Sequence, residues 1–71
     1  MTGEQKQKGR FVDRKLAPLL KAMGIGVAGA TYEADEYEEF VRVEYGNGFC
    51  RRVCVTGDNL HAIAHDVIDR V

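Results

Sequence analysis

The chain has 71 residues, and its ten Lys and Arg against eleven Asp and Glu leave a formal net charge of -1. This balance lacks the basic excess of dedicated nucleic-acid binders, and no apolar run reaches the ~18 residues of a membrane span. A chain this short holds one domain with a small core, which a partner chain often stabilises. We therefore expect one cytoplasmic domain without membrane association, in which homodimerisation stays open.

The first ten residues are polar and rich in Gln, Lys and Gly. They offer no apolar side chains to bury beyond Met1, and they lack the apolar stretch of a signal peptide. The sequence predicts a mobile tail over residues 1–10, followed by a single α+β domain over residues 11–71.

A first helix is predicted from Phe11 to Met23, because apolar residues recur there at helical spacing: Val12, Leu16, Leu19, Leu20 and Met23. Asp13 is a candidate N-cap, and Gly24 suits the left-handed position that ends a helix. Pro18 conflicts with a regular helix because it lacks a backbone N–H. Either the helix kinks there, or its regular part begins later with Pro18 in the first turn.

Three strands are expected to follow. The Gly- and Ala-rich stretch 26–35 allows only a short, uncertain strand around Ala28–Tyr32. Apolar and polar residues alternate better in Tyr37–Tyr45. Residues 46–48, Gly-Asn-Gly, form the clearest turn in the chain, and Phe49–Thr56 is the returning strand.

The register of this hairpin has two alternatives. A three-residue loop places Val41 opposite Val53, whereas a two-residue loop places Val41 opposite Cys54. The first register gathers the branched residues Val41, Val43, Val53 and Val55 on one face, so we prefer it. The second register is not excluded.

A final helix is predicted after Gly57 and Asp58, with Asp58 as its N-cap and an apolar stripe formed by Leu60, Ile63, Ala64, Val67 and Val71. The fold class is therefore α+β with the order α-β-β-β-α. Both helices should pack on the apolar face of a small antiparallel sheet.

Two cysteines and two histidines invite comparison with a zinc site. On a strand, the Cα atoms of Cys50 and Cys54 would be about 13 Å apart, which is too far for a disulfide or a shared zinc ion. We expect free thiols. His61, His65 and Asp69 share one face of the last helix and are weak candidate metal ligands, but a solvated helix flank is the interpretation we favour.

No arrangement for catalysis is recognisable in the sequence. A Cys-His nucleophile would need Cys54 and His61 within hydrogen-bond distance, but a loop separates them. No nucleophile elbow, phosphate-binding Gly loop or dinucleotide fingerprint occurs. We expect no enzyme, no catalytic residues and no cofactor.

The sheet surface that faces away from the core is the candidate binding site. In the preferred register Arg42 lies opposite Arg52, and this pairing of like charges suggests an anionic neighbour. That neighbour could be Glu44 in the same chain, an acidic partner protein, or phosphate. The candidate partner-binding residues are Phe40, Arg42, Arg52 and Tyr32.

The residues Val53, Val55, Thr56-Gly57-Asp58-Asn59-Leu60, Ala62-Ile63 and Asp66-Val67 resemble a C-terminal pattern of short uncharacterised proteins from bacterial prophage and mobile-element regions. Asn59 stands where that pattern would have Ser. The resemblance implies a hairpin that leads through a capped turn into a final helix. It also implies a phage-like setting, in which small proteins often bind a host protein, and it assigns no site residues.

These observations favour a non-catalytic accessory module whose function is protein binding. Arginine beside an aromatic residue on an open sheet is also used by single-stranded nucleic-acid binders, so a nucleic-acid-binding module acting through the exposed sheet face is the first alternative. A homodimeric structural protein is the second.

Overall fold

The computed structural model describes residues 2–71. An N-terminal helix is built from three consecutive segments, α1 (Gly3–Phe11), a π-helical turn (Val12–Leu16) and α2 (Ala17–Ala22). Strands β1 (Val27–Ala34), β2 (Glu39–Tyr45) and β3 (Cys50–Cys54) follow, and helix α3 (Leu60–Arg70) ends the fold. The order α-β-β-β-α confirms the predicted fold class.

The N-terminal helix begins at Gly3, which corrects the prediction of a mobile tail over residues 1–10. Thr2 and Gln5 form a capping box: the Thr2 hydroxyl accepts from the Gln5 N–H at 3.1 Å, and Gln5 Oε1 accepts from the Thr2 N–H at 3.0 Å. The side chain of Lys8 is buried, so this segment is also anchored to the rest of the domain. The polar composition of residues 1–10 predicts neither the capping box nor the burial of Lys8. Met1 lies outside the described residues.

The π-helical turn lies directly before Pro18. In a regular helix the proline ring would crowd the carbonyl of Arg14. Here the N–H of Ala17 donates to the carbonyl of Val12, five residues earlier, and Pro18 occupies the first turn of α2. Pro18 thus lies in the first turn of a regular segment, as the second alternative states, but the helix does not begin there, because α1 precedes it from Gly3. Asp13 lies inside the helix and is not its N-cap.

The sheet has the order β1-β2-β3, and both pairs are antiparallel. The uncertain first strand is present and is longer than expected. Val41 pairs with Val53, and the N–H of Tyr45 donates to the carbonyl of Phe49 at 2.8 Å across a three-residue loop. The preferred hairpin register is confirmed.

The core lies between one face of the sheet and the two helices. Its buried residues are Val12, Leu16, Ala17, Leu20, Val27, Ala30, Tyr32, Val41, Val43, Val53, Val55, Ile63 and Val67. Leu19 and Met23, which the helical stripe placed in the core, are exposed instead. The helix after the π turn is rotated relative to a regular helix, and this rotation turns both side chains outward.

Helix α3 is capped by Asn59, whose side-chain oxygen accepts from the Ala62 N–H at 2.8 Å. This corrects the assignment of the cap to Asp58, one residue earlier. Within residues 2–71, no helix has the length and apolar character needed to cross a membrane.

Candidate interaction surface on the open sheet face

One face of the sheet is left uncovered by the helices. The residues that alternate with the core positions lie on it: Thr31, Glu33, Phe40, Arg42, Glu44, Cys50, Arg52 and Cys54. We call this set the outer face. Most of these side chains are exposed, and only Glu33 and Phe40 are partly buried.

Arg42 and Arg52 are direct neighbours on the outer face, as predicted. The two guanidinium groups have different partners. Arg52 lies over the ring of Phe40, 4.1 Å from the ring centroid. Arg42 contacts Glu44, with 3.8 Å between Nε and Oε1, and its Nη2 lies 3.6 Å from the Cys50 sulfur. Glu44 is therefore an anionic neighbour within the chain. Because the two guanidinium groups contact different partners, the repulsion between the paired arginines is reduced.

A shallow groove of about 210 Å³ borders the Arg52–Phe40 pair. It is lined by Glu33, Ala34, Asp35, Phe40 and Arg52. Glu33 Oε1 is buried and accepts no hydrogen bond from any described residue. The groove is also lined by the carboxylate of Asp35, so its acidic side suits a ligand that brings an N–H or O–H group.

Tyr32 does not belong to this surface, which corrects its inclusion among the partner-binding residues. It pairs with Val41 in the sheet, points to the core side and is only 6% exposed. Its hydroxyl donates to Glu39. Tyr32 shares the core face with its partner Val41. Successive side chains on a strand point to opposite faces, so Arg42, which follows Val41, lies on the other face.

Glu39 is the centre of a buried polar cluster that sequence reasoning missed. One carboxylate oxygen accepts from Lys8 Nζ at 2.8 Å and from Tyr32, and the other accepts from the Gly57 N–H at 2.9 Å. Burial alone would raise the pKa of Glu39, but the hydrogen bonds from Lys8, Tyr32 and Gly57 outweigh it and lower the pKa to about 2. The cluster joins the N-terminal helix, the sheet and the turn before α3.

The pKa values of the two side-chain donors in this cluster, Lys8 and Tyr32, are raised. The hydrogen bond to Glu39 is the largest cause for Lys8, whereas burial is the largest cause for Tyr32. A sequence signal for this arrangement exists in Thr2-x-x-Gln5, which has the spacing of a capping box and predicts a helix that carries Lys8. The pairing with Glu39, 31 residues later, has no such signal.

A second, partly buried carboxyl group, that of Asp58, lies beside this cluster. Burial, followed by the neighbouring carboxyl of Asp66, raises the pKa of Asp58 to about 6. Asp58 Oδ2 has no hydrogen-bond partner among the described residues. The Asp58 side chain thus packs against α3 instead of capping it.

The candidate metal ligands lie on the exposed side of α3. His65 Nδ1 is 3.8 Å from Asp69 Oδ2, both side chains are about two-thirds exposed, and His61 is exposed as well. Over residues 2–71, no three His, Cys, Asp or Glu side chains are grouped closely enough to hold a metal ion. Cys50 and Cys54 are free and exposed, and both lie on the outer face.

The outer face thus combines a stacked arginine and aromatic residue, a second arginine, two thiols and a groove lined by two acidic residues. Compared with known proteins, the chain matches no family model, no curated protein and no solved structure.

Proposed function

We propose that this protein is a non-catalytic accessory module that binds another protein through its outer face. The observation that carries the proposal is an uncovered sheet face on which Arg52 stacks over Phe40 and Arg42 lies alongside. Aromatic residues and arginine are enriched at protein–protein interfaces and dominate their binding energy, because they bury a large area and still offer directed polar contacts.

The contacts within the outer face favour this role. The ring of Phe40 holds the Arg52 guanidinium in place, so less side-chain entropy is lost when a partner binds. The N–H groups of Arg52 that point away from the ring can bind a carboxylate on the partner. Arg42 is held more loosely, since its contact with Glu44 is long and exposed.

The size of the surface sets a condition on the partner. The outer face has eight residues, whereas a standard interface takes about 20–30 residues from each partner. The most exposed large apolar side chains, Tyr37 at 83% and Phe49 at 72%, precede β2 and β3 respectively. A partner that reaches from the sheet onto these two turns would bury an adequate area.

The partner should present acidic groups toward the two arginines and an amide, amine or hydroxyl donor toward the groove at Glu33. The resemblance of residues 53–71 to short prophage-borne proteins favours a host protein as this partner. A phage or mobile-element protein that acts by binding requires no catalytic group of its own.

The test is a tagged pull-down from a lysate of the native host, split into nuclease-treated and untreated halves. The wild-type chain is compared with the outer-face variant Arg42→Glu/Arg52→Glu. The variant Arg10→Glu/Arg14→Glu, on the N-terminal helix, is a matched control, since it also reverses two exposed arginines. Circular dichroism confirms that all three chains are folded.

A discrete protein that survives nuclease, is kept by the helix control and is lost with the outer-face variant is the expected result. Recovery of the same protein with the outer-face variant contradicts the proposal. Enrichment that disappears with nuclease, is lost with the outer-face variant and is kept by the helix control would instead indicate nucleic-acid binding through the outer face. A mass near twice 7.9 kDa in sedimentation, lost in the outer-face variant, would indicate a homodimer through this face.

A further inference from the structure

A row of basic side chains runs along the exposed side of the N-terminal helix. Lys6, Arg10 and Arg14 follow one another at intervals of four residues, and Lys15 lies beside them. All four are exposed. Residues four apart are neighbours on a helix surface, so we call these four residues the basic ridge.

The ridge rises between two shallow grooves. One groove, of about 390 Å³, is lined by Lys6, Gly9, Arg10, Asp13 and Arg14. The other, of about 330 Å³, lies toward α3 and is lined by Gln7, Arg10, Phe11, Arg14, Lys15 and Leu60. Arg10 and Arg14 border both grooves, so their guanidinium groups can reach a ligand on either side.

The basic ridge is not neutralised by the rest of the domain. None of its four side chains forms a salt bridge with a described carboxylate. Asp13 is the single acidic residue in the lining of either groove. The chain's acidic residues are concentrated elsewhere, since six of the eleven occur in residues 33–44. A net charge of -1 therefore hides two regions of opposite charge.

We propose that the basic ridge binds the phosphate backbone of nucleic acid without reading its sequence. At 1.5 Å per residue, the row from Lys6 to Arg14 is about 12 Å long. Phosphates of one strand advance by ~3.4 Å each along the duplex axis, so a ridge aligned with that axis spans about three or four of them. A line of like charges without acidic partners matches an extended polyanion better than a single carboxylate.

The neighbouring residues define how the nucleic acid would bind. Among residues 2–71 no exposed aromatic side chain borders the ridge, because Phe11 is partly buried against the core. Stacking on bases is therefore absent from this site, and the contact is restricted to phosphates. The acidic turn that contains Asp35 and Glu36 lies beside Thr2 and Gln5, so a polyanion would extend from Lys6 toward α2.

This site is separate from the outer face. In its test the helix variant is expected to lose binding and the outer-face variant is the control. Fluorescence anisotropy is measured with a labelled duplex of about 20 base pairs while salt is varied between about 25 and 200 mM. Binding should be micromolar or weaker, and log K should fall with log salt with a slope of about -3. A second duplex of unrelated sequence should bind equally well.

The variant Arg10→Gln/Arg14→Gln should bind at least about tenfold more weakly at low salt and reduce the slope by about 2, since each phosphate contact contributes about 1. The control variant Arg42→Gln/Arg52→Gln should bind like the wild type. All four arginines are exposed, so circular dichroism should show unchanged helicity.

Any of four results would overturn the proposal: no binding by the wild type at about 25 mM salt, equal binding by the Arg10/Arg14 variant, loss of binding in the Arg42/Arg52 variant alone, or a tenfold preference for one duplex. Tighter binding to anionic lipid vesicles than to the duplex would also overturn it, because the ridge would then be a membrane-surface contact.

Discussion

The buried cluster of Lys8, Tyr32 and Glu39 and the outer face of the sheet contain the same kinds of side chain, a cation, an aromatic ring and a carboxylate, in opposite surroundings. In the cluster, the Lys8 and Glu39 side chains are 6% and 13% exposed, and every contact is a hydrogen bond. On the outer face, Arg42 and Glu44 are about half exposed and 3.8 Å apart. The first arrangement stabilises the fold, whereas the second leaves charge available to a partner.

Lys8→Ala should have the largest effect. The substitution leaves the Glu39 carboxylate without its cation, although two neutral hydrogen-bond donors remain. The cost should therefore be about 3–4 kcal/mol, toward the lower end for a broken buried ion pair, which is comparable with the total stability of a domain this small. Urea unfolding followed by circular dichroism measures the loss. Lys6→Ala, two residues earlier on the exposed side, is the control and should change the free energy of unfolding by less than about 0.5 kcal/mol. Equal effects of the two variants would mean that the cluster does not hold the helix.

Acid should weaken the domain through Glu39. Its pKa is about 2 in the folded chain, below the ordinary 4.5. A lowered pKa gives stability that is fully present above the ordinary value and is lost as the pH falls toward 2. The loss should be about 3 kcal/mol at ~1.4 kcal/mol per pKa unit. Urea unfolding at several pH values should show a flatter acid limb for Glu39→Gln, and an identical limb in both chains would contradict the assignment.

Arg52→Gln should have the smallest effect. The contact between its guanidinium and Phe40 is exposed, so losing it should cost about 0.5–1 kcal/mol. For a domain of this size that is a fall in Tm of about 2–8 °C. Arg42→Gln, without an aromatic partner, is the matched control and should shift Tm less. A loss as large as that of Lys8→Ala would show that the outer face is part of the stabilising core.

The sequence predicted the sheet better than it predicted the N-terminus. The hairpin register followed from patterning, because only one loop length places Val41 and Val53 on the same buried face. The prediction of a mobile N-terminal tail was wrong because composition was given more weight than the capping signal at Thr2 and Gln5. Its stability also depends on Lys8 meeting Glu39, and a contact between residues that far apart leaves no periodic pattern to read.

Part of the candidate surface also follows from the hairpin register. Phe40, Arg42 and Arg52 follow from register and alternation, and the structure brings them together. Tyr32 was assigned to the wrong face because the length and register of β1 could not be read from a Gly- and Ala-rich segment. The groove at Glu33 is formed by side chains from all three strands, and no periodic pattern in the sequence indicates it.

The π turn also determines in which direction the buried side chains at the two ends of the N-terminal helix point. The buried residues Lys8, Val12, Leu16 and Leu20 recur every four positions. At about 100° per residue, a regular helix would drift by about 40° at each step and place Lys8 and Leu20 about 120° apart. The wider turn absorbs one residue and reduces this angle to about 20°, so both ends of the helix face the same sheet. Deleting one residue between Val12 and Leu16 should return the backbone to α-helical geometry and keep Lys8 directed at Glu39, because eleven residues at about 100° each again end about 20° apart.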